Sequence, residues 1–340
     1  MLYPQWALPA VHDRAAELVA TGSAESGNSR RATPMNSTPS LTPHGTSAVS
    51  SGRALVLGGG GSTGNAWLIG VLAGLADAGL DATGAELVIG TSAGSTAAAQ
   101  IAGAPPAELY AAVLDAAPQQ RTAPAGAAAG VSPARPVSDH LERTDRIIAS
   151  AADPADMRRR MGALALDLAS AHDATGRWRE TVASRLPIRE WPQHRLLITA
   201  VDARTGEPAV FDRNSGVDLV DAVAASCASG FAYGIGDRRY IDGGYRRNEN
   251  ADLAAGHGRV LVLSPFGGRT RMPLEWGMQL TAQMAELTAG GSRVETVFPD
   301  SGSEHMFGAN AMDLSLRPAA ARAGFSHGEK LAPQLTEFWR

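Results

Sequence analysis

Leu87-Val88-Ile89-Gly90-Thr91-Ser92-Ala93-Gly94-Ser95-Thr96-Ala97-Ala98-Ala99 is the stretch on which the fold turns. Glu86 to Ile89 read as a short buried strand. Gly90 and Gly94 bracket a serine, and small, Ala-rich residues follow as a helix ending near Gly103-Ala104-Pro105. The same order occurs upstream. Ala54-Leu55-Val56-Leu57 is an apolar strand, followed by Gly58-Gly59-Gly60-Gly61-Ser62-Thr63-Gly64. Trp67, Leu68, Val71, Leu72, Leu75 and Leu80 then mark the apolar face of a helix, with Gly79 near its end. Strand, helix, strand, helix predicts an α/β fold: a parallel sheet joined by right-handed crossovers.

The sheet resumes downstream. Residues 195–201 read as a strand, and the turn at 202–207 leads into 208–211 as a hairpin. A helix is expected over 219–229, a short strand at Arg239-Tyr240-Ile241 and a buried strand at 259–263. Helices near 274–289 and 311–339 close the chain. Between the two halves, 105–136 is Ala-, Pro- and Gly-rich and reads as a loose excursion; 137–190 reads as mostly helical, opened in part by Asp153-Pro154. Residues 20–52 hold few large apolar side chains, so burial cannot offset the entropy of ordering them. The expected organisation is a poorly ordered tail over 1–52, with a short helix at 11–20. One domain follows over 53–340, with a helical, cap-like excursion at about 105–190.

Composition narrows the function. The chain has 340 residues, 19% charged and 44% hydrophobic, with a formal net charge of -4. That balance carries no nucleic-acid footprint. Cys227 is the one cysteine, which excludes an internal disulfide and a cysteine-built zinc site. Lys330 is the one lysine. No apolar run is of membrane-spanning length, and the first residues do not read as a secretory signal. The expected location is cytoplasmic, with any membrane contact peripheral.

The glycine loop admits three readings. Gly59-x-Gly61-x-x-Gly64 matches a dinucleotide fingerprint, but the second strand carries its acid, Glu86, at the start rather than the end. A phosphate loop would need a lysine, and none is there. The loop could instead offer its amides to an oxyanion formed in acyl transfer, or be a tight turn packed through glycines.

Ser92 sits in G-x-S-x-G, a pattern that also occurs at Gly60–Gly64. Only Ser92 lies directly between a strand and a helix, as a nucleophile elbow requires. Ser62 reads as a turn residue. A serine nucleophile needs a base. Of the eight histidines, His257, His305 and His327 follow Ser92 in an order that suits a triad, but each sits in loop-like surroundings. Asp242 is the stronger candidate. It ends a short strand and is followed by Gly243-Gly244, which places an uncrowded carboxylate at a strand end.

The four-glycine loop, the G-x-S-x-G turn and the later Asp-Gly-Gly together resemble the patatin-like phospholipase family. Val201-Asp202-Ala203 with Thr205-Gly206-Glu207, Ala224-Ala225-Ser226-Cys227-Ala228 and Asn250-Ala251-Asp252-Leu253 add to the likeness, which spans roughly 53–335. The resemblance implies a three-layer α/β/α fold with a mainly parallel central sheet. It implies lipid acyl ester hydrolysis of the phospholipase A or lysophospholipase type by a Ser92–Asp242 dyad, without metal or cofactor. Gly59, Gly60 and Gly61 would form the oxyanion hole. Gly64, Gly90, Gly94, Gly243 and Gly244 would shape the motifs. The partners implied are a lipid or acyl-ester substrate and a transiently touched membrane surface. Two departures stand out: Thr63 replaces the family's usual Arg or Lys, and Ser229-Gly230 replaces a frequent proline. The segment from Leu274 to Leu287 reads either as a core-packing helix or as an amphipathic helix near the site mouth. A nucleotide-binding module and a catalytically weak lipid binder are the alternative functions.

Overall fold

The computed structural model describes residues 50–116, 137–169 and 174–340. The expected tail, apart from residues 50–52, and the short helix at 11–20 lie outside the described residues. The described residues belong to one unit, Ser47–Arg340.

Among them the sheet has eight strands: β1 (Ser50–Leu57), β2 (Leu87–Gly90), β3 (Arg195–Asp202), β4 (Pro208–Phe211), β5 (Tyr233–Ile235), β6 (Arg238–Asp242), β7 (His257–Leu263) and β8 (Arg293–Val297). The order is β5-β6-β3-β2-β1-β7-β8, with β4 also paired to β3. The pairs β3–β2, β2–β1, β1–β7 and β7–β8 are parallel. Those involving β4, β5 and β6 are antiparallel.

Side chains alternate across the strands, so the sheet feeds a core on each face, and Val201 of β3 and Ile241 of β6 enter a third cluster with Met157 and Met161. Leu55 and Leu57 of β1 and Leu261 and Leu263 of β7 enter one core; Ala54, Val56, Val260 and Val262 enter the other. The first core is covered by helices α1 (Gly61–Asp77), α2 (Ala93–Ile101), α7 (Leu219–Ser226) and α9 (Arg317–Trp339). The second is covered by α8 (Leu280–Ala289) and the turn at Ala251–Ala254. The result is the three-layer α/β/α architecture with a mainly parallel sheet.

α1 and α9 meet through glycines. The empty side of Gly70 faces the Ala321 carbonyl, and that of Gly74 the Phe325 carbonyl. Reciprocally, Gly324 faces the Trp67 carbonyl and Gly328 the Val71 carbonyl. Any Cβ at these positions would strike backbone, so the helices approach at backbone distance. Because 67 faces 324 and 71 faces 328, the two helices run in the same direction, and their first turns lie together.

The register around β3 positions the site. Ile198 pairs with Gly90 on one side and Phe211 on the other; Ala200 pairs with Asp242 on one side and Ala209 on the other. β4 holds one edge throughout. β2 and β6 therefore follow one another along the opposite edge, running toward each other. Their carboxyl ends meet beside Thr199.

Several elements differ from the sequence reading. β1 begins at Ser50, because polar residues extend its pairing toward His257. The stretch read as loose opens with α3 (Pro106–Asp115), whose Pro lies in the first turn and whose Glu108 suits the helix dipole. The helical excursion contains α4 (Val137–Ser150), α5 (Pro154–Ala169) and α6 (Ala174–Ala183); its residues 117–136 and 170–173 lie outside the described residues. β5 and β8 were not expected, being short and half polar. The helix expected near 274–289 is broken at Gly277, whose φ is +63°. α8 then packs Leu280 and Leu287 into the second core, with Met284 against it. The core-packing reading describes α8, whereas Leu274, ahead of the break, is exposed.

Candidate active site

Ser92 is built into a strained turn. Its φ of +52° and ψ of -116° lie where non-glycine residues rarely sit, a strain of about 1–3 kcal/mol that its surroundings must hold. Three features hold it. The Ser92 N–H donates to Ser226 Oγ at 2.9 Å. Its carbonyl accepts from Ser95 Oγ at 2.6 Å and from Cys227 Sγ at 3.1 Å. Glycines let the backbones close: a Cβ at Gly90 would come within 2.6 Å of Ser95 Cα, and one at Gly94 would strike the Leu57 carbonyl. Ser92 also caps the amino end of α2, where the helix dipole favours negative charge.

The Ser92 hydroxyl donates to Asp242 Oδ2 at 2.7 Å. Asp242 Oδ1 accepts the Gly244 N–H at 2.8 Å, and the Asp242 N–H donates to the Ala228 carbonyl at 3.1 Å. Gly230, with φ +107°, provides the bend after Ala228 where the family often has proline. Gly243 leaves no room for a side chain against Thr199. Asp242 is buried, and burial pushes its pKa from the usual 3.8 to about 6, although the bonds from Gly244 and Ser92 pull it down. A carboxylate so placed can take a proton from Ser92 and return it.

A buried polar network ties the serine turn to the aspartate turn. Thr91 Oγ1 and Thr199 Oγ1 are 2.9 Å apart. Asn250 Nδ2 lies 3.0 Å from the first, 3.2 Å from the second and 3.3 Å from the Gly243 carbonyl. Asn250 adopts φ +55°, and its Oδ1 accepts from Arg246, which also binds Asp252. Asn248 joins the glycine loop: its carbonyl accepts the Gly59 N–H at 3.0 Å, and its Nδ2 donates to the Gly59 carbonyl at 3.3 Å. Leu57, just before that loop, accepts the Thr91 N–H at 3.1 Å.

The loop itself needs a correction. The Gly59 amide is already bonded to Asn248, so it is not available as an oxyanion donor in this arrangement. Among the described residues the N–H groups of Gly60 and Gly61 have no hydrogen-bond partner. Gly60 and Gly64 lie against Pro265, and Gly61, at φ +64°, against Ala311. The Gly64 N–H closes the turn onto the Gly60 carbonyl at 3.0 Å.

The other sequence candidates fall elsewhere. Among the described residues no histidine bonds to Ser92. The Nδ1 atoms of His257 and His305 face the carbonyls of Ala254 and Gly302. Glu86 pairs with Arg53 at the amino end of β2, away from the glycine loop and unsuited to a ribose there. No cluster of potential metal ligands occurs among the described residues. Ser226, Thr199 and Asn250 are the supports that pattern reading did not assign. Two of their segments carried the family likeness, but isolated Ser, Thr and Asn read as ordinary turn or helix residues.

The family model of the patatin-like phospholipases matches residues 55–255, more than half of the chain. The chain belongs to the patatin-like phospholipase family. A search of curated proteins finds no match. Among solved structures, the chain is similar to VipD from Legionella pneumophila, with 13% identity and a TM-score of 0.39, covering 84% of this chain and 67% of that one. It is also similar to the type III effector protein ExoU, with 16% identity and a TM-score of 0.31, covering 84% of this chain and 56% of that one. The chain thus spans little more than half of ExoU. The matched family segment contains the glycine loop, Ser92, Asp242 and Asn250 and stops short of α9. No described helix is long and apolar enough to cross a membrane.

Proposed function

We propose that this patatin-like protein is a serine hydrolase that cleaves carboxylic ester bonds of lipids, in the manner of a phospholipase A, lysophospholipase or lipid acyl hydrolase. The observation that carries the reading is the 2.7 Å bond from a strained elbow serine to a buried carboxylate. Ser92 Oγ attacks the ester carbonyl while Asp242 takes its proton. The carbonyl oxygen becomes an oxyanion that receives the N–H groups of Gly60 and Gly61, each worth about 3 kcal/mol of transition-state stabilisation. The tetrahedral species collapses, and Asp242 returns the proton to the departing alcohol. Water then attacks the acyl-Ser92 ester with Asp242 again as base, and the proton returns to Ser92. No step calls for a metal or cofactor.

Lipid access has support at the rim. Ala311, which touches the glycine loop, is followed by Met312, 60% exposed, and Leu314, 42% exposed. Apolar side chains held out beside the loop suit a transient, peripheral encounter with a lipid surface. A fluorophosphonate probe tests the function directly. It should label Ser92 and block hydrolysis of a short-chain nitrophenyl ester; an unlabelled, inactive protein would return the glycine loop to the nucleotide-binding or lipid-binding alternatives.

A further inference from the structure

Glu249 is a buried acid, 1% exposed, for which the reaction scheme above has no use. Among the described residues it forms no ion pair. Burial pushes its pKa up, while hydrogen bonds from Asn248 and Ser264 pull it down. An apolar side chain of similar size would fill the space without that electrostatic cost. What Glu249 contributes therefore lies in the groups it binds.

Those groups belong to two segments that flank the glycine loop. Glu249 Oε1 accepts from Asn248 Nδ2 at 2.8 Å and from Ser264 Oγ at 2.7 Å. The same Asn248 nitrogen reaches the Gly59 carbonyl at 3.3 Å, and the Asn248 carbonyl holds the Gly59 N–H at 3.0 Å. Both backbone groups of Gly59 thus rest on one residue, whose side chain Glu249 orients. Ser264 follows β7. Its hydroxyl accepts the Gly268 N–H at 3.0 Å, and its own N–H donates to the Val297 carbonyl at 3.0 Å. The next residue, Pro265, is the surface on which Gly60 and Gly64 lie; a Cβ at Gly60 would come within 2.6 Å of Pro265 Cβ. At Gly58 a Cβ would stand 3.2 Å from Glu249 Cγ. One carboxyl oxygen therefore links the residue that holds Gly59 to the segment on which Gly60 packs. The far side of the loop is held by other elements: the Ala311 carbonyl accepts the Thr63 N–H at 3.0 Å, and the Arg317 guanidinium donates to the Ser62 carbonyl at 2.7 Å.

We propose that Glu249 is a positioning residue for the oxyanion hole. By holding Asn248 and Ser264 together, it fixes the glycine loop in the conformation that leaves the Gly60 and Gly61 amides free for the oxyanion. The catalytic part rests on the hydrolase reading above; the hold on the loop does not.

The test compares two variants of the full chain: Glu249→Met, which fills the space without an acceptor, and Glu249→Gln, which keeps Oε1. Glu249→Met should lower kcat for a nitrophenyl ester by about tenfold or more with little change in KM, because the oxyanion forms only on the way to the transition state. Glu249→Gln should recover most of that loss. The rise of kcat through about pH 6 should stay in place, since Asp242 keeps its own bonds. Equal losses in the two variants, a loss confined to KM, or a displaced pH midpoint overturns the proposal. Ser264→Ala removes one of the two arms and keeps the test open if Glu249→Met does not fold. It should lower kcat in the same direction, and an unchanged kcat there counts against the proposal equally. Amide hydrogen exchange reads the loop without catalysis. The Gly59 amide should exchange about tenfold faster in Glu249→Met than in Glu249→Gln, while amides in the middle of α1 keep their rates. That result supports the hold on the loop even where Ser92 takes no fluorophosphonate, an outcome that removes the hydrolase reading and the catalytic role with it. Equal Gly59 exchange in the two variants overturns the hold itself.

Discussion

Ser92 and Asp242 stand 150 positions apart in the chain and share a hydrogen bond of 2.7 Å. They meet because Gly90 and Asp242 end two strands that run toward each other along one edge of β3, opposite Ile198 and Ala200. Thr199 fills the gap between those ends and bonds to the network that joins both turns.

Removing either partner should stop the chemistry. Ser92→Ala and Asp242→Asn are each expected to lower kcat for a nitrophenyl ester by about a thousandfold or more, with circular dichroism unchanged. Activity within tenfold of wild type in Asp242→Asn would assign proton transfer to another group.

The pKa of Asp242 sets a pH profile. Activity needs the carboxylate ionised, so kcat should rise through about pH 6 and level off above it. Stability runs the other way. The folded protein holds the Asp242 proton up to about pH 6, whereas the unfolded chain releases it near 3.8. Between these values the fold binds more protons, so this group's contribution to stability falls as pH rises. The difference is worth up to ~3 kcal/mol by linkage. Asp242→Asn should therefore gain in Tm relative to wild type from pH 4 to pH 7.5; a constant difference across that range contradicts the shift.

Backbone strain at Ser92 predicts a distinction between two inactive variants. Glycine tolerates φ +52°, whereas alanine does not. Ser92→Gly should exceed Ser92→Ala in unfolding free energy by about 1 kcal/mol or more in urea titration. Equal stability would mean that the turn relaxes once the hydroxyl is gone.

Asn250 should matter to both stability and rate, although it touches neither reacting atom. Asn250→Ala leaves Thr91, Thr199 and the Gly243 carbonyl without their shared donor. A loss of about 2–4 kcal/mol is expected, with a fall in kcat larger than any change in KM. A variant with wild-type Tm and kcat would show that the glycine turns hold the geometry alone.

Much of this was legible in the sequence, for reasons that can be named. Strands buried on both faces, such as 54–57 and 260–263, announce themselves as apolar runs. Gly90 and Gly94 declare a tight turn at Ser92 because only glycine permits the backbone approaches seen there. β5 and β8 escaped because short, half-exposed strands carry little apolar signal. The engagement of the Gly59 amide was invisible, since it depends on the carbonyl of Asn248 from a distant loop.

The alternation of strand, glycine turn and helix, and hence a parallel α/β sheet, is readable from residue order, because those local preferences act within a few residues of each other. Which end of β6 faces β2, that Asn250 bridges the two turns, and that Arg317 reaches Ser62 emerge only once the chain is packed. Those contacts depend on register and on the backbone-close packing of α1 against α9, in which glycines 70, 74, 324 and 328 act together although no local pattern links the two pairs.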